Sequence, residues 1–442
     1  MTHIRKLWRR AARASSGIFA WILMLAAPAG ALDTYSLDDL YRLALKKAEV
    51  IKVAEENVFV AETGEEKAYS FLLPRATAFG GATRYTEDKR NNAGSLVQPL
   101  TAATWGVRID ETLSLSGREL TALGIAKDTI ERSRKDLSAV KEIYLFAVAA
   151  SYFDVFRARR NVEIADANLE RLGKYRDAAE KRLKVGEVTK TVLLRADGEL
   201  SGAQSDRLKA ANAAALAQAN LARIVGIPQG FELSEEPFTE GELQPLAYYR
   251  DEAEKERSDL KSLEIQKKIS EDQVRFTKGS YWPSLSLSAG YAGADQNPAS
   301  STINRESMYG AALLNYPFFE GGLRNAEVKE AMARERQTKY FYEDLRKAIG
   351  IEVESAYLEV ATQKGQIRFL RDQLAYARDN FNAVSRQFEY GLSSSIDVID
   401  ANTLLVSAEQ KLAEALYSYQ TSTLKLKKAT GVLLKAVAGS RG

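Results

Sequence analysis

The chain has 442 residues, a formal net charge of +3, no cysteine and a single histidine, His3. Without cysteine there are no disulfides, no thiolate metal sites and no cysteine nucleophile, and an acylated-cysteine lipid anchor is not expected. With its one histidine in the first few residues, the body of the protein lacks the usual polar catalysts, which weighs against an enzyme and against a bound metal or cofactor.

Residues 1–31 read as a secretory signal peptide. Arg5, Lys6, Arg9, Arg10 and Arg13 form a basic front, Ile18 to Ala27 an apolar core, and Ala29-Gly30-Ala31 a small-residue cleavage pattern. The apolar run is too short to span a bilayer as a helix. Those five basic residues have no acidic neighbour in the leader, so removing it takes the charge from +3 to −2. The basicity belongs to the leader, and the mature chain gives no support for nucleic-acid binding.

From Ser36 onward, Leu37, Leu40, Tyr41, Ala44, Ala48, Ile51, Val58 and Ala61 recur at helical spacing, predicting a helix that ends near Pro74. The period then falls to two. Segments 75–87 and 103–114 predict an antiparallel hairpin around the polar loop Lys89 to Gly94. After Gly117 a heptad-like seam runs through Leu137, Val140, Tyr144, Ala147, Ser151 and Val155 to Leu172. It predicts a helix over about 118–184, which at 1.5 Å per residue is on the order of 100 Å long. A turn at about 185–189 leads into an alanine-rich return helix that ends at Gly226.

Residues 227–245, rich in proline, glycine and glutamate, read as a connector, after which the programme repeats. Helical 246–280, strands at about 284–293 and 307–316, a second long helix with its seam from Ile349 to Phe388, and a turn at about 390–395 follow in the same order. Pro74 aligns with Pro283 at an offset of 209, and Gly186 with Gly391 and Gly226 with Gly431 at an offset of 205. An internal duplication accounts for this. The expected division is a first repeat over 32–226, a second over 246–431, and a tail at 432–442.

The fold class is therefore mainly α with a small β part, a duplicated helix–β-hairpin–long-helix unit. Four strands of roughly ten residues suit a tilted transmembrane barrel but cannot close one, so several copies must share it. The long helices are too polar for lipid and must continue the barrel as an aqueous tube.

Two stretches carry a resemblance: Tyr316-Pro317-Phe318-Phe319-Glu320-Gly321-Gly322, and Tyr390-Gly391-Leu392 followed by Ile396-Asp397-Val398-Ile399-Asp400. In the order found, they make the chain similar to TolC-type outer-membrane efflux and secretion channels over essentially all of the mature sequence. The resemblance implies a homotrimer in outer-membrane lipid, with a twelve-stranded barrel and a twelve-helix periplasmic tunnel. It implies partners too, a periplasmic adaptor and an inner-membrane transporter, for which the chain is the passive exit duct of an efflux or type I secretion system. Asp397 and Asp400 match a carboxylate ring at the periplasmic entrance, where mutual repulsion would raise some carboxyl pKa values. Val185, Gly186, Glu187, Tyr390, Gly391 and Leu392 match adaptor-docking tips. Ser393, Phe388 and Val192 stand where the best-studied members carry an arginine, a tyrosine and an aspartate that latch the entrance, so that latch is expected to be absent or replaced.

The plainer reading of Asp397 and Asp400 is a pair of acidic residues complementing a helix N-terminus. The alternative to a duct is a periplasmic coiled-coil scaffold whose hairpins are soluble. The cargo, whether drug, metal ion or polypeptide, is not encoded in any of these motifs.

Overall fold

The computed structural model describes residues 34–235, 238, 240–299 and 304–439, so the leader expected at 1–31 lies outside the described residues. The first part of the chain runs β1 (Thr34–Tyr35), α1 (Leu37–Lys47), α2 (Glu49–Ser70), β2 (Arg75–Arg84), β3 (Lys89–Arg90), β4 (Leu96–Gln98) and β5 (Thr101–Ser114). Next come α3 (Arg118–Lys184), α4 (Lys190–Val225), β6 (Glu232–Leu233), α5 (Leu246–Glu256) and α6 (Ser258–Lys278). The remainder is β7 (Ser284–Asn297), β8 (Glu306–Asn315), α7 (Leu323–Glu389), α8 (Ser395–Ala429) and α9 (Leu433–Gly439).

The two longest helices, α3 and α7, have 67 residues each. Each follows a glycine in the left-handed region, Gly117 at φ 71° and Gly322 at φ 90°, a geometry that other residues adopt only under strain. α4 and α8 return antiparallel to them, so each long helix and its partner form a hairpin that ends in a tip.

β2, β5, β7 and β8 form one antiparallel sheet in that order, its central pair β5–β7 joining the two halves of the chain. The register sorts side chains onto two faces, because alternate residues point oppositely. One face carries Ala78, Trp105, Val107, Ile109, Leu285, Leu287, Ala289, Tyr291, Met308 and Leu314, with Glu111 and Glu306 towards its two ends. The other carries Thr77, Thr104, Arg108, Asp110, Thr112, Ser284, Ser286 and Ser288, with Phe79, Tyr309 and Leu313 interspersed and Arg108 Nε 2.6 Å from Asp110 Oδ2. Aromatic rings cover cross-strand glycines: a Cβ on Gly290 would lie 2.8 Å from the Tyr309 ring, and one on Gly106 2.8 Å from Phe79. The edge strands β2 and β8 are exposed along their whole length. Strand ends differ from the sequence expectation by up to four residues. The inner strands lengthen because each has partners on both sides, whereas β2 stops at Arg84.

Above the sheet the loop expected around Lys89 to Gly94 contains the small β3–β4 ladder. Below it, α2, α3, α6 and α7 lie side by side, and farther down α4, α3, α8 and α7 do the same.

Two expectations need correction. The single helices over 37–74 and 246–280 are each interrupted, at Ala48 (φ −60°, ψ 122°) and Arg257 (φ −56°, ψ 116°), which are 209 residues apart. Neither is glycine or proline. The bend arises because α1 must turn its apolar face, Leu37, Leu40, Tyr41 and Ala44, onto the middle of α3, beside Leu145, Val148 and Tyr152. The α3 seam is displaced as well. Ser151, Val155 and Leu172 are buried as expected, but Leu145, Val148, Tyr152 and Phe156 replace most of the rest, because α3 has neighbours on several sides. The α7 seam follows the expected residues from Ile349 to Phe388. The connector contributes β6, paired in parallel with β1. The expected tail contains α9, whose Leu433 and Val437 are buried in the core around α1.

The second break sits in a charged cluster. Arg257, 8% exposed, donates to both Asp259 oxygens, to Glu352 and to the Ala429 carbonyl at the end of α8. Nearby Glu142, 7% exposed, accepts the Leu434 N–H at the start of α9. Burial pushes the Glu142 carboxyl up to about 7, against that hydrogen bond and the attraction of Arg257 and Lys428. The folded protein therefore binds this proton more tightly than the unfolded chain does. Its contribution is fully present below the unfolded carboxyl pKa and is lost as pH rises towards 7. Glu142→Gln is expected to raise stability at pH 8 by about 1–3 kcal/mol and to leave it little changed at pH 4. Melting of the detergent-solubilised protein across that range checks this; a variant-to-wild-type difference that does not grow with pH would contradict it.

Candidate functional site at the helical tips

Both tips are built by the same backbone device. Gly186, at φ 79°, donates its N–H to the Leu183 carbonyl, and Glu187 donates to Arg182. Gly391, at φ 76°, donates to Phe388, and Leu392 to Gln387. This paired pattern closes a helix C-terminus through a left-handed glycine. It leaves Val185 70%, Tyr390 80% and Leu392 78% exposed, with Gly186, Glu187 and Gly391 beside them. The chain thus brings the two candidate docking turns to the same end of the molecule, each with apolar side chains in solvent.

The helices leaving the tips differ. Ser394 caps α8: its hydroxyl accepts the Asp397 N–H at 3.3 Å, while the Asp397 carboxylate accepts the Ser394 N–H at 2.8 Å. Those two hydrogen bonds hold the Asp397 carboxyl below its usual range, so within one chain the shift is opposite to the one expected from clustered carboxylates. Asp397 is accordingly a capping residue whatever else it does. Asp400 lies one turn on, exposed, on the same helix face. In the first tip Thr189 occupies the cap position of α4 but makes no side-chain cap, its hydroxyl lying 2.9 Å from that of Thr191.

The three positions expected to lack a latch are packed inside the chain. Phe388 is 4% exposed and lies against Tyr175 at 5.3 Å between ring centroids; Val192 packs in the same cluster; and the Ser393 hydroxyl donates to the Val384 carbonyl. Arg182, which sequence reasoning passed over, bridges the two tips. Its guanidinium lies over the Phe388 ring at 4.8 Å, donates to the Phe388 carbonyl at 2.7 Å and pairs with Glu187 at 2.9 Å. The signal was available in the repeat alignment, where Arg182 corresponds to Gln387, an uncharged residue at the same point of the other tip.

Among the described residues no helix is long and apolar enough to cross a membrane, and no group of three or more His, Cys, Asp or Glu could hold a metal ion. The sheet, for its part, presents a mainly apolar face that includes Val107, Ile109, Leu287 and Tyr291. What the arrangement offers chemically is a polar sheet face in line with long helices, and a tip bearing carboxylates and exposed apolar groups.

Comparison with known proteins agrees with this geometry. A family model described as outer membrane efflux protein matches residues 40–227 and 249–432. The outer membrane protein TolC of Escherichia coli K12 is 25% identical over 386 residues, which cover 83% of this chain and 76% of TolC. The alkaline protease secretion protein AprF of Pseudomonas aeruginosa is 25% identical over 301 residues, 66% of this chain and 62% of AprF. Among solved structures, CusC superposes with a TM-score of 0.81 at 19% identity, over 90% of this chain and 93% of its own.

Proposed function

The chain belongs to the outer membrane efflux protein family, and from that premise we propose that it is a passive exit duct of the outer membrane, working as a homotrimer. Substrate would arrive from an inner-membrane transporter through a periplasmic adaptor that seats on the tips at Val185-Gly186-Glu187 and Tyr390-Gly391-Leu392. The duct does no chemistry of its own.

One observation carries the reading. The four-stranded sheet has a mainly apolar face, a mainly polar face and two unpaired edges, β2 and β8. In lipid every unpaired backbone group costs several kcal/mol, so only a closed barrel is stable there, and four strands are too few to close. Pairing β8 of one copy with β2 of the next removes every edge. The apolar face then meets lipid and the polar face lines the lumen. Exposed aromatics at the strand–helix junctions, Tyr69, Phe71, Trp282, Tyr316 and Phe318, support the same depth, since such side chains gather where lipid meets water. A soluble scaffold would have no use for that face or that belt.

Asp397 and Asp400 complete the proposal as the carboxylate ring at the narrow end. Hydrogen bonding keeps Asp397 ionised at neutral pH, which favours cations at a constriction. Purified protein in a planar bilayer is expected to conduct, with cation preference, and Asp397→Asn with Asp400→Asn to reduce that preference several-fold. Absence of any pore would overturn the duct; an unaltered selectivity would remove the ring.

A further inference from the structure

The sheet face proposed above to line the lumen is not uniformly bland. Pairing places Thr77, Arg108, Gly290 and Tyr309 in one row across the four strands. Phe79, Gly106, Ala292 and Ser307 make the next row, about 7 Å farther along. Both glycines lie under rings. A Cβ on Gly290 would come within 2.8 Å of the Tyr309 ring and 2.9 Å of its hydroxyl, and one on Gly106 within 2.8 Å of Phe79 Cζ. Tyr309 therefore leans from β8 over β7 towards Arg108, and Phe79 leans from β2 onto the β5 residue two places before Arg108. Arg108 thus stands between rings that arrive from the two edge strands.

Covering a glycine with a ring from the next strand is a general way of steadying a twisted sheet, and Trp105 does the same over Gly293 on the apolar face. That accounts for the glycines but not for the setting. Phe79 remains 44% exposed and Tyr309 45%, on a face otherwise made mostly of serine, threonine, alanine and glycine. Both rings therefore present much of their surface to the passage.

Charge gives the patch a sign. Arg108 Nε donates to Asp110 Oδ2 at 2.6 Å. Its terminal nitrogens have no acceptor among the described residues, and Arg75, paired in register with Asp110, has no ion-pair partner there either. Among the described residues these are the ionised side chains of the polar face, so two arginines against one aspartate leave one positive charge per copy. A narrow aqueous passage with low-dielectric walls focuses such a field. The sign is opposite to that of Asp397 and Asp400 at the far end of the chain.

Resting on the duct proposed above, we propose that Phe79, Arg108 and Tyr309 form a site inside the barrel for planar aromatic anions, which pause there on their way through. A carboxylate or sulfonate takes the forked end of the guanidinium in charge-assisted hydrogen bonds, while its ring lies along Phe79 or Tyr309. Asp110 sets the strength by competing for the same guanidinium. Passage stays passive; the site changes only how long one class of cargo remains in the barrel.

The purified protein in a planar bilayer reads the site as interruptions of the ionic current. Naphthalenesulfonate is expected to produce discrete blockades. Methanesulfonate and naphthylmethanol, which carry the charge or the ring alone, are expected not to. Arg108→Gln should shorten the blockades about tenfold, the loss expected for one charge-assisted hydrogen bond. Phe79→Leu with Tyr309→Leu should shorten them several-fold, and Asp110→Asn should lengthen them. Should a substituted protein fail to insert, the three probes on the unaltered protein still decide. Blockades equal for naphthalenesulfonate and methanesulfonate, or unchanged in Arg108→Gln, would overturn the site and leave the duct standing. A protein that conducts no current at all would overturn both.

Discussion

Val107→Lys is expected to remove the protein from the outer-membrane fraction. Val107 lies midway along β5, paired with Ala78 and Tyr291 on the apolar face. A lysine at the midplane of a barrel's lipid face costs about 2–4 kcal/mol, and the proposed trimer would carry three of them. Thr104→Lys provides the control: the same strand, three residues (about 10 Å) along it, but on the polar face beside Gly81 and Ala294. It places the charge in an aqueous lumen, and we expect normal insertion with altered ion selectivity. Fractionation and heat-resistant trimer bands on gels read both variants. If the two behave alike, the assignment of faces is wrong.

The second large effect is expected at Arg257→Ala. Its guanidinium satisfies Asp259, Glu352 and the last carbonyl region of α8, and it offsets the buried Glu142. Removing one partner from such a cluster strands the others, at a cost of about 3–5 kcal/mol. Arg257→Lys keeps the charge but loses the fork that reaches several acceptors, so it should recover only part of the loss. The damage should be local at first. Gly431 packs against the Arg257 backbone, where a Cβ would come within 2.9 Å, and α9 follows immediately. Melting temperature and protease cleavage within α9 give the readout. A melting temperature unchanged by the alanine variant would mean that the cluster contributes nothing to stability.

The sequence disclosed whatever is dictated by local chemistry. Gly186 and Gly391 had to stand where they do, because the turn demands a left-handed residue. The strands declared themselves by a period of two, although not their lengths, which depend on which neighbour each strand finds. Ser394 and Asp397 were legible as a helix start, and the Asp397 carboxylate also folds back to accept the Ser394 N–H. Where the reading failed, tertiary contact had overridden pattern. The breaks at Ala48 and Arg257 carry no breaker residue and exist because α1 and α5 have to tilt onto the long helices. The displaced seam of α3 and the burial of α9 have the same origin, a core formed by segments far apart in the chain. Arg182 stood out only as an arginine where the other tip has Gln387; that its partner is Phe388 depends on the two tips meeting in space.

The bare margins of β2 and β8 govern the life history of each newly exported molecule. A copy whose edges are not yet paired would carry two adhesive ribbons and a greasy flank, an invitation to precipitate. After closure the balance reverses, since departure would tear a sheet apart in oil. In the proposed ring, membership would therefore be permanent.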